Sequence, residues 1–356
     1  MRFLNRERQH LAGFLPSRRR RSVWQRRKFY AFAFFLYDKC FVMKIVFMGT
    51  PQAAVPALER ILRDKHEVVA VWTQPDKPAG RGNKITALPV KEFALQNNLT
   101  VYQPTKIKTV ESLELFQSHN ADVAVVVAYG RILPETFLQA FPRGAINVHF
   151  SLLPKYRGAA PVNWAIVNGE GKTGVTTMQM DAGLDTGGIL LQRETAIGAD
   201  ETALDLMRRL SHTGADLLSE TLAMYDELVA QPQNDAQATL APMMKKEDGA
   251  IDWNLPATEI VNRIRGFQPF PTSYTKYQDK KMTIWKAVEG VTMCFDTHQN
   301  TPEAGTIISA DRNGIIVCCG TFVSLRIEEL QLEGKKRMRT RDFLNGVKIN
   351  VGEKLG

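Results

Sequence analysis

Cysteine is scarce in this chain: Cys40, Cys294, Cys318 and Cys319 are the only four in 356 residues. None forms a CxxC pair and no histidine stands at metal-ligand spacing from them. No metal site or disulfide framework is therefore expected, and reduced thiols in a cytoplasmic protein are. Apolar runs are short as well. The longest, Phe29 to Tyr37, covers nine residues, whereas a spanning helix needs about 20, so no membrane segment is expected. No GxGxxG follows the first apolar strand pattern, which argues against a dinucleotide site.

An excess of one charge is also missing once its location is known. The net charge is +9, but residues 1–42 hold eleven of the 46 Lys and Arg and only Glu7 and Asp38 of the 37 acids. The remaining chain is neutral, so RNA contact there would need local patches. The first 42 residues pair basic runs with an aromatic stretch and lack a small-residue cleavage site. An unstructured extension ahead of Met43 is expected, in preference to a signal sequence or an RNA-binding arm.

From Lys44 a strand, helix, strand order (KIVFM, then Val55, Leu58 and Leu62 on one face, then Glu67 to Trp72) implies a parallel βαβ unit. Thr50 and Pro51 are placed to cap and start the helix. Val123 to Ala128 reads as a strand apolar on both faces. The segment Thr73 to Thr86, TQPDKPAGRGNKIT, is a long polar loop carrying Lys77, Arg81 and Lys84, either merely solvated or in contact with RNA. Gln231 to Thr239 is polar throughout and reads as a linker. After it the pattern changes to short strands, as in a small barrel or sandwich.

The stretch AINVHFSLLPKYRGAAP, Ala145 to Pro161, concentrates chemistry. Period-2 alternation sends Asn147 and His149 to one face near a strand's carboxyl end, where open α/β sheets bind ligands. An amide donor beside an imidazole suits a reaction in which a carbonyl oxygen becomes an oxyanion while a proton moves. Downstream, DAGLDTGG (Asp181 to Gly188) is a tight loop, and its Asp185 would be in place to set the tautomer of His149.

FMGTP (Phe47 to Pro51), TQPDKPAGRG, AYGRILP (Ala128 to Pro134), NVHFSLLPKYRGAAP, MQMDAGLDTG (Met178 to Gly187) and IDW (Ile251 to Trp253) together resemble the folate-dependent formyltransferase family. The PAGRG loop resembles the branch acting on initiator methionyl-tRNA. That resemblance implies a Rossmann-like, mostly parallel α/β catalytic domain over 43–230, a linker over 231–247 and a C-terminal OB-like β-barrel over 248–356 that assists tRNA binding. It implies 10-formyltetrahydrofolate as donor, Asn147, His149 and Asp185 as catalytic residues, and folate contacts at Ser151, Leu152, Leu153 and Pro154. Arg81, with Lys77 and Lys84 beside it, falls on the loop that approaches the tRNA acceptor end. A monomer working without a metal is expected. Two departures border the site: Phe150 replaces a small residue or proline, and Tyr156 a frequent tryptophan. A formyltransferase acting on a small amine, and a non-catalytic RNA-binding protein, are the alternatives.

Overall fold

The computed structural model describes residues 42–79, 84–293, 302–320 and 323–356. The extension expected over residues 1–42 lies, apart from Val42, outside them, as does Arg81. Strand β1 (Lys44–Gly49) is buried at every position but its first, as an inner strand of a parallel sheet requires. A short 3-10 turn then leads into α1 (Val55–Arg63). Thr50 does not cap this helix: Pro51 opens the turn with no side-chain cap. Thr50 instead donates from Oγ1 to the Tyr129 carbonyl at 3.1 Å.

Strand β2 (Glu67–Trp72) follows, and then a hairpin of β3 (Lys77–Ala79) and β4 (Lys84–Thr86) stands where the sequence suggests open loop. Asp76 anchors its base by accepting from Lys91 and, at 2.9 Å, from Gln103. The chain continues through α2 (Pro89–Gln96), β5 (Val101–Tyr102), α3 (Val110–Gln117), β6 (Val123–Val127), α4 (Glu135–Leu138) and β7 (Ala145–His149). Next come α5 (Pro161–Val167), β8 (Lys172–Gln179), β9 (Ile189–Ala196) and α6 (Ala203–Ala223).

The seven strands run in the order β5-β2-β1-β6-β7-β8-β9. The first five are parallel, β8 runs against them, and β9, antiparallel to β8, returns to their direction, giving the mostly parallel sheet expected. The connections change direction between β1 and β6, the crevice where such sheets receive ligands. Helix α6 starts at a Thr202/Asp205 capping box and seals one face with Leu206, Leu210, Leu217, Leu218 and Leu222. Trp72, Phe116, Tyr129, Phe137 and Phe141 fill the other face. Each such buried side chain contributes about 1.5–3 kcal/mol.

After Ala223 the chain passes through residues 231–247 to α7 (Ala257–Gly266). An antiparallel sheet follows: β10 (Ser273–Tyr277), β11 (Lys280–Met293), β12 (Ile307–Asp311), β13 (Gly314–Cys318), β14 (Val323–Leu332) and β15 (Met338–Arg339). A short α8 (Thr340–Leu344) packs on it. The strand order is β10-β11-β14-β13-β12, with β15 on β14. This half has its own core, in which Trp253 of the IDW motif donates to Thr275 at 3.1 Å. The halves meet through α5 and α7: Asn163 donates to the Gly266 carbonyl at 2.7 Å, and Arg265 to those of Gly198 and Glu201 at 3.0 and 3.2 Å.

Candidate active site

Strand β7 sends Ile146 and Val148 into the core beneath α6 and turns Asn147 and His149 to the opposite face, as its period-2 geometry dictates. Phe150 continues the inward series. Its ring lies among the core side chains beside Gly214 and Val175, where a helix residue without a side chain leaves it room. The departure at Phe150 thus falls on the face turned away from Asn147 and His149.

The turn after β7 is built on Thr176, which is fully buried in β8. Its Oγ1 donates to the Ser151 carbonyl at 2.7 Å and accepts from Leu153 N at 3.1 Å. Gln192 adds donor bonds to Leu153 O at 2.8 Å and to Thr176 at 2.9 Å. Ser151 is buried and donates to Lys155 O at 2.7 Å, the Leu153–Pro154 bond is cis, and Leu152 and Pro154 are half-buried.

This turn leaves Tyr156 in the left-handed region, at φ 62°, a conformation that non-glycine residues hold only when the surroundings impose it. Its N–H is fixed by Thr239 Oγ1 at 2.9 Å and its hydroxyl by Glu170 at 2.9 Å. Burial, with the Glu170 carboxylate adding to it, pushes the phenol up to about 12, so it stays a donor. The consequence is that the Tyr156 carbonyl meets His149 Nε2 at 2.9 Å. A carbonyl only accepts, so Nε2 carries the hydrogen and the neutral ring has its lone pair on Nδ1.

The loop between β8 and β9 supplies the partner for that nitrogen. Asp181 stiffens the loop by accepting from Gly183 N at 3.1 Å and Thr186 Oγ1 at 2.6 Å. Asp185 is left-handed at φ 54°. Its Oδ2 lies 3.6 Å from His149 Nδ1 and accepts from Gly158 N at 2.8 Å. Both side chains are shielded, at 7 % and 13 % exposure. The Asn147 amide makes no hydrogen bond among the described residues. Exposed Ile132 and Leu184 give the neighbouring loops apolar crests.

The structure thus sets His149 against Asp185 and places Asn147 two residues before His149 on the same face of β7, with the Ser151–Pro154 turn following directly. Lys77 and Lys84 fall on the β3–β4 hairpin. Sequence reasoning missed Arg157, Tyr156 O, Thr176 and Gln233. Gln233 lies in the expected linker, yet it touches both site loops, donating to Asp185 O and Gly187 O and accepting from Arg157. Nothing in a polar tract singles out one amide. Among the described residues no group of three or more His, Cys, Asp or Glu is placed to hold a metal ion.

A mostly parallel sheet that carries on β7, beside β6, a carboxylate-facing histidine and an uncommitted amide offers the donor and the proton acceptor that acyl-group transfer requires. The family model for formyl transferase matches residues 43–222, and that for the formyl transferase C-terminal domain matches residues 243–348. The chain belongs to the formyl transferase family. It is 48 % identical over 316 residues to the methionyl-tRNA formyltransferase of Alkaliphilus oremlandii, covering 88 % of this chain and all of that one. The methionyl-tRNA formyltransferase of Citrifermentans bemidjiense is 50 % identical over 316 residues, covering 88 % and 96 %. The fold is similar to that of the N-formyltransferase from Helicobacter canadensis, solved with folinic acid and dTDP-3-aminofucose (TM-score 0.60, 21 % identity, 80 % of this chain and 99 % of that one). It is also similar to HypX from Aquifex aeolicus with tetrahydrofolic acid (TM-score 0.56, 15 % identity, 87 % and 50 %).

Proposed function

We propose that the protein transfers the formyl group of 10-formyltetrahydrofolate to the α-amine of methionine on initiator tRNA, as a monomer in the cytoplasm. The observation that carries this is the pairing of an uncommitted Asn147 amide with a shielded His149 whose Nδ1 faces Asp185. It stands in a chain similar to methionyl-tRNA formyltransferases over nearly their whole length.

The nucleophile is an aminoacyl amine, a class with a pKa of roughly 7.7–8.0, so part of it is uncharged at neutral pH. Its lone pair forms the new C–N bond to the formyl carbon, and the carbonyl π pair moves onto oxygen. Asn147 Nδ2 donates to that oxyanion, an interaction commonly worth about 2.7–4 kcal/mol. His149 takes the amine proton on Nδ1, and the Asp185 carboxylate stabilises the imidazolium. Proton transfer of this kind contributes about 10²- to 10⁴-fold. The C–N10 bond then breaks as the proton is delivered to N10, leaving tetrahydrofolate and formylmethionyl-tRNA.

The Ser151–Pro154 turn is assigned to the folate side, where Leu152 and Pro154 are its half-buried members. Lys77, Arg81 and Lys84 are assigned to the acceptor end of the tRNA, where basic side chains hold phosphates in register. Lys335, Lys336, Arg337, Arg339 and Arg341 are exposed on the second half, and Arg337 lies 4.8 Å over the Trp285 ring. They are assigned to the tRNA body, with that half acting as an OB-like module.

The test is a side-by-side assay of purified protein with 10-formyltetrahydrofolate and initiator Met-tRNA, elongator Met-tRNA or glycinamide ribonucleotide. Formyl incorporation into the initiator alone is expected. Transfer to the small amine but not to tRNA would sink the assignment.

A further inference from the structure

We infer that Gln233, in the segment joining the two halves, is a positioning residue for this reaction that holds Asp185 against His149; the inference rests on the function proposed above. Asp185 sits at φ 54°, a conformation open to aspartate but sparsely populated, so the groups that grip it decide whether the loop keeps it there. Its carboxylate is gripped by Gly158 N. Its main chain is gripped by Gln233, whose Nε2 donates to Asp185 O and to Gly187 O, both at 2.8 Å.

The other end of the same amide is equally committed. Gln233 Oε1 accepts from Arg157 Nε at 3.0 Å and Nη2 at 2.8 Å. Both donors and both acceptor positions of the amide are therefore in use. A flipped amide would set oxygen against two carbonyls and NH₂ against a guanidinium, so only one orientation is possible. Arg157 directly precedes Gly158, the residue that donates to the Asp185 carboxylate. The contacts close a ring running from Asp185 O through Gln233 and Arg157 to Gly158 N and back to Asp185 Oδ2. Backbone and side chain of the aspartate are thus located by one linking amide.

The ring is itself held in place. Gln231 exchanges two backbone hydrogen bonds with Ile189, at 2.7 and 2.8 Å, which sets where Gln233 enters. Arg157 is buried and also pairs with Asp235 at 2.7 Å. Gln233 reaches neither His149 nor the space beside Asn147 by any hydrogen bond, so it acts through Asp185.

The test uses the full chain carrying Gln233→Ala or Gln233→Glu, each also combined with Asp185→Ala, in single-turnover formylation of initiator Met-tRNA at a temperature where all variants are folded. Gln233→Glu keeps the Arg157 partner but places oxygen against two carbonyls, so it tests the same contact with less loss of packing. Each single variant is expected to lower the rate about 10- to 100-fold, the scale of a misplaced catalytic group, with KM for tRNA within about twofold. In the Asp185→Ala background neither change should lower it further. A separate readout needs no turnover: hydrogen exchange at the Gly158 amide should quicken at least about tenfold when the Asp185 partner is released. Unchanged Gly158 protection, or the same fold-loss with and without Asp185, overturns the inference. If the unaltered chain does not formylate Met-tRNA, the proposed function fails, and the exchange measurement still decides whether Gln233 holds Asp185.

Discussion

Asp185 Oδ2 lies 3.6 Å from His149 Nδ1 while accepting a hydrogen bond from Gly158 N at 2.8 Å. The distance to the ring is longer than a hydrogen bond, as is common before substrate binds. With Nε2 committed to the Tyr156 carbonyl, a proton gained by this ring arrives on the nitrogen that faces the carboxylate. The expectations below follow from this arrangement and from the elements that hold it.

Asn147→Ala is expected to lower kcat by about 10²- to 10³-fold, the cost of one oxyanion donor. Because the amide has no protein partner among the described residues, the change in unfolding free energy should stay within about 0.5 kcal/mol. A thermal melt beside a formylation assay separates the two.

Asp185→Asn and Asp185→Val are expected to diverge. Asparagine tolerates φ near +54° and can still accept from Gly158, so the fold should persist while turnover falls at least about 10²-fold. Valine is branched at Cβ and disfavoured in the left-handed region, so it should also destabilise by about 1–3 kcal/mol. Denaturant midpoints of the two variants check this.

Gly158→Ala is expected to impair both fold and activity. The residue has φ 122°, and an added Cβ would stand 2.7 Å from the Ala241 carbonyl. A cost of about 1–3 kcal/mol and release of the Asp185 carboxylate should appear together in melting and turnover.

Acid should weaken the fold through His119. Burial lowers its pKa from the usual 6.5, and its Nε2 accepts from Trp72 Nε1 at 3.1 Å, an indole that only donates. The folded state therefore binds this proton less readily than the unfolded chain. The contribution is complete above about pH 6.5 and is lost as pH falls from there through the lowered value. His119→Gln keeps an acceptor without titrating, so its stability should decline less between pH 7 and pH 5. Urea midpoints across that range provide the measurement.

Arg81→Ala is expected to raise KM for tRNA and flatten its salt dependence with little effect on folate binding. Equal loss of both would contradict the role assigned to the loop.

The parallel sheet was legible because β1 and β6 are apolar runs too short for helices, rich in branched side chains and bounded by turn residues, and because the first stands in a strand, helix, strand order. Asn147 and His149 were legible from a spacing of two. Asp185 was separable from Asp181 only by motif, since composition cannot tell which carboxylate braces the loop and which faces the histidine. Thr50 was misread because a threonine before proline fits a cap locally, yet the tertiary approach of Tyr129 offered its hydroxyl a different partner. The β3–β4 hairpin was obscured by its prolines and glycines, which signal loop and hairpin alike. Gln233 left no trace, because its partners lie 46 to 76 residues away in sequence.

Segment 231–241 also determines where one half gives way to the other. Gln231 and Leu240 pair with backbone of the first half, and Trp164 donates to the Pro242 carbonyl at 2.8 Å, whereas backbone bonding to the second half begins where Ala250 bridges Tyr274 and Ile251 N donates to the Tyr274 carbonyl at 2.8 Å. The change of allegiance therefore falls between Pro242 and Ala250, and the polar tract before it belongs with the sheet, so a lengthened or shortened linker would be accommodated after Pro242 without disturbing Gln233.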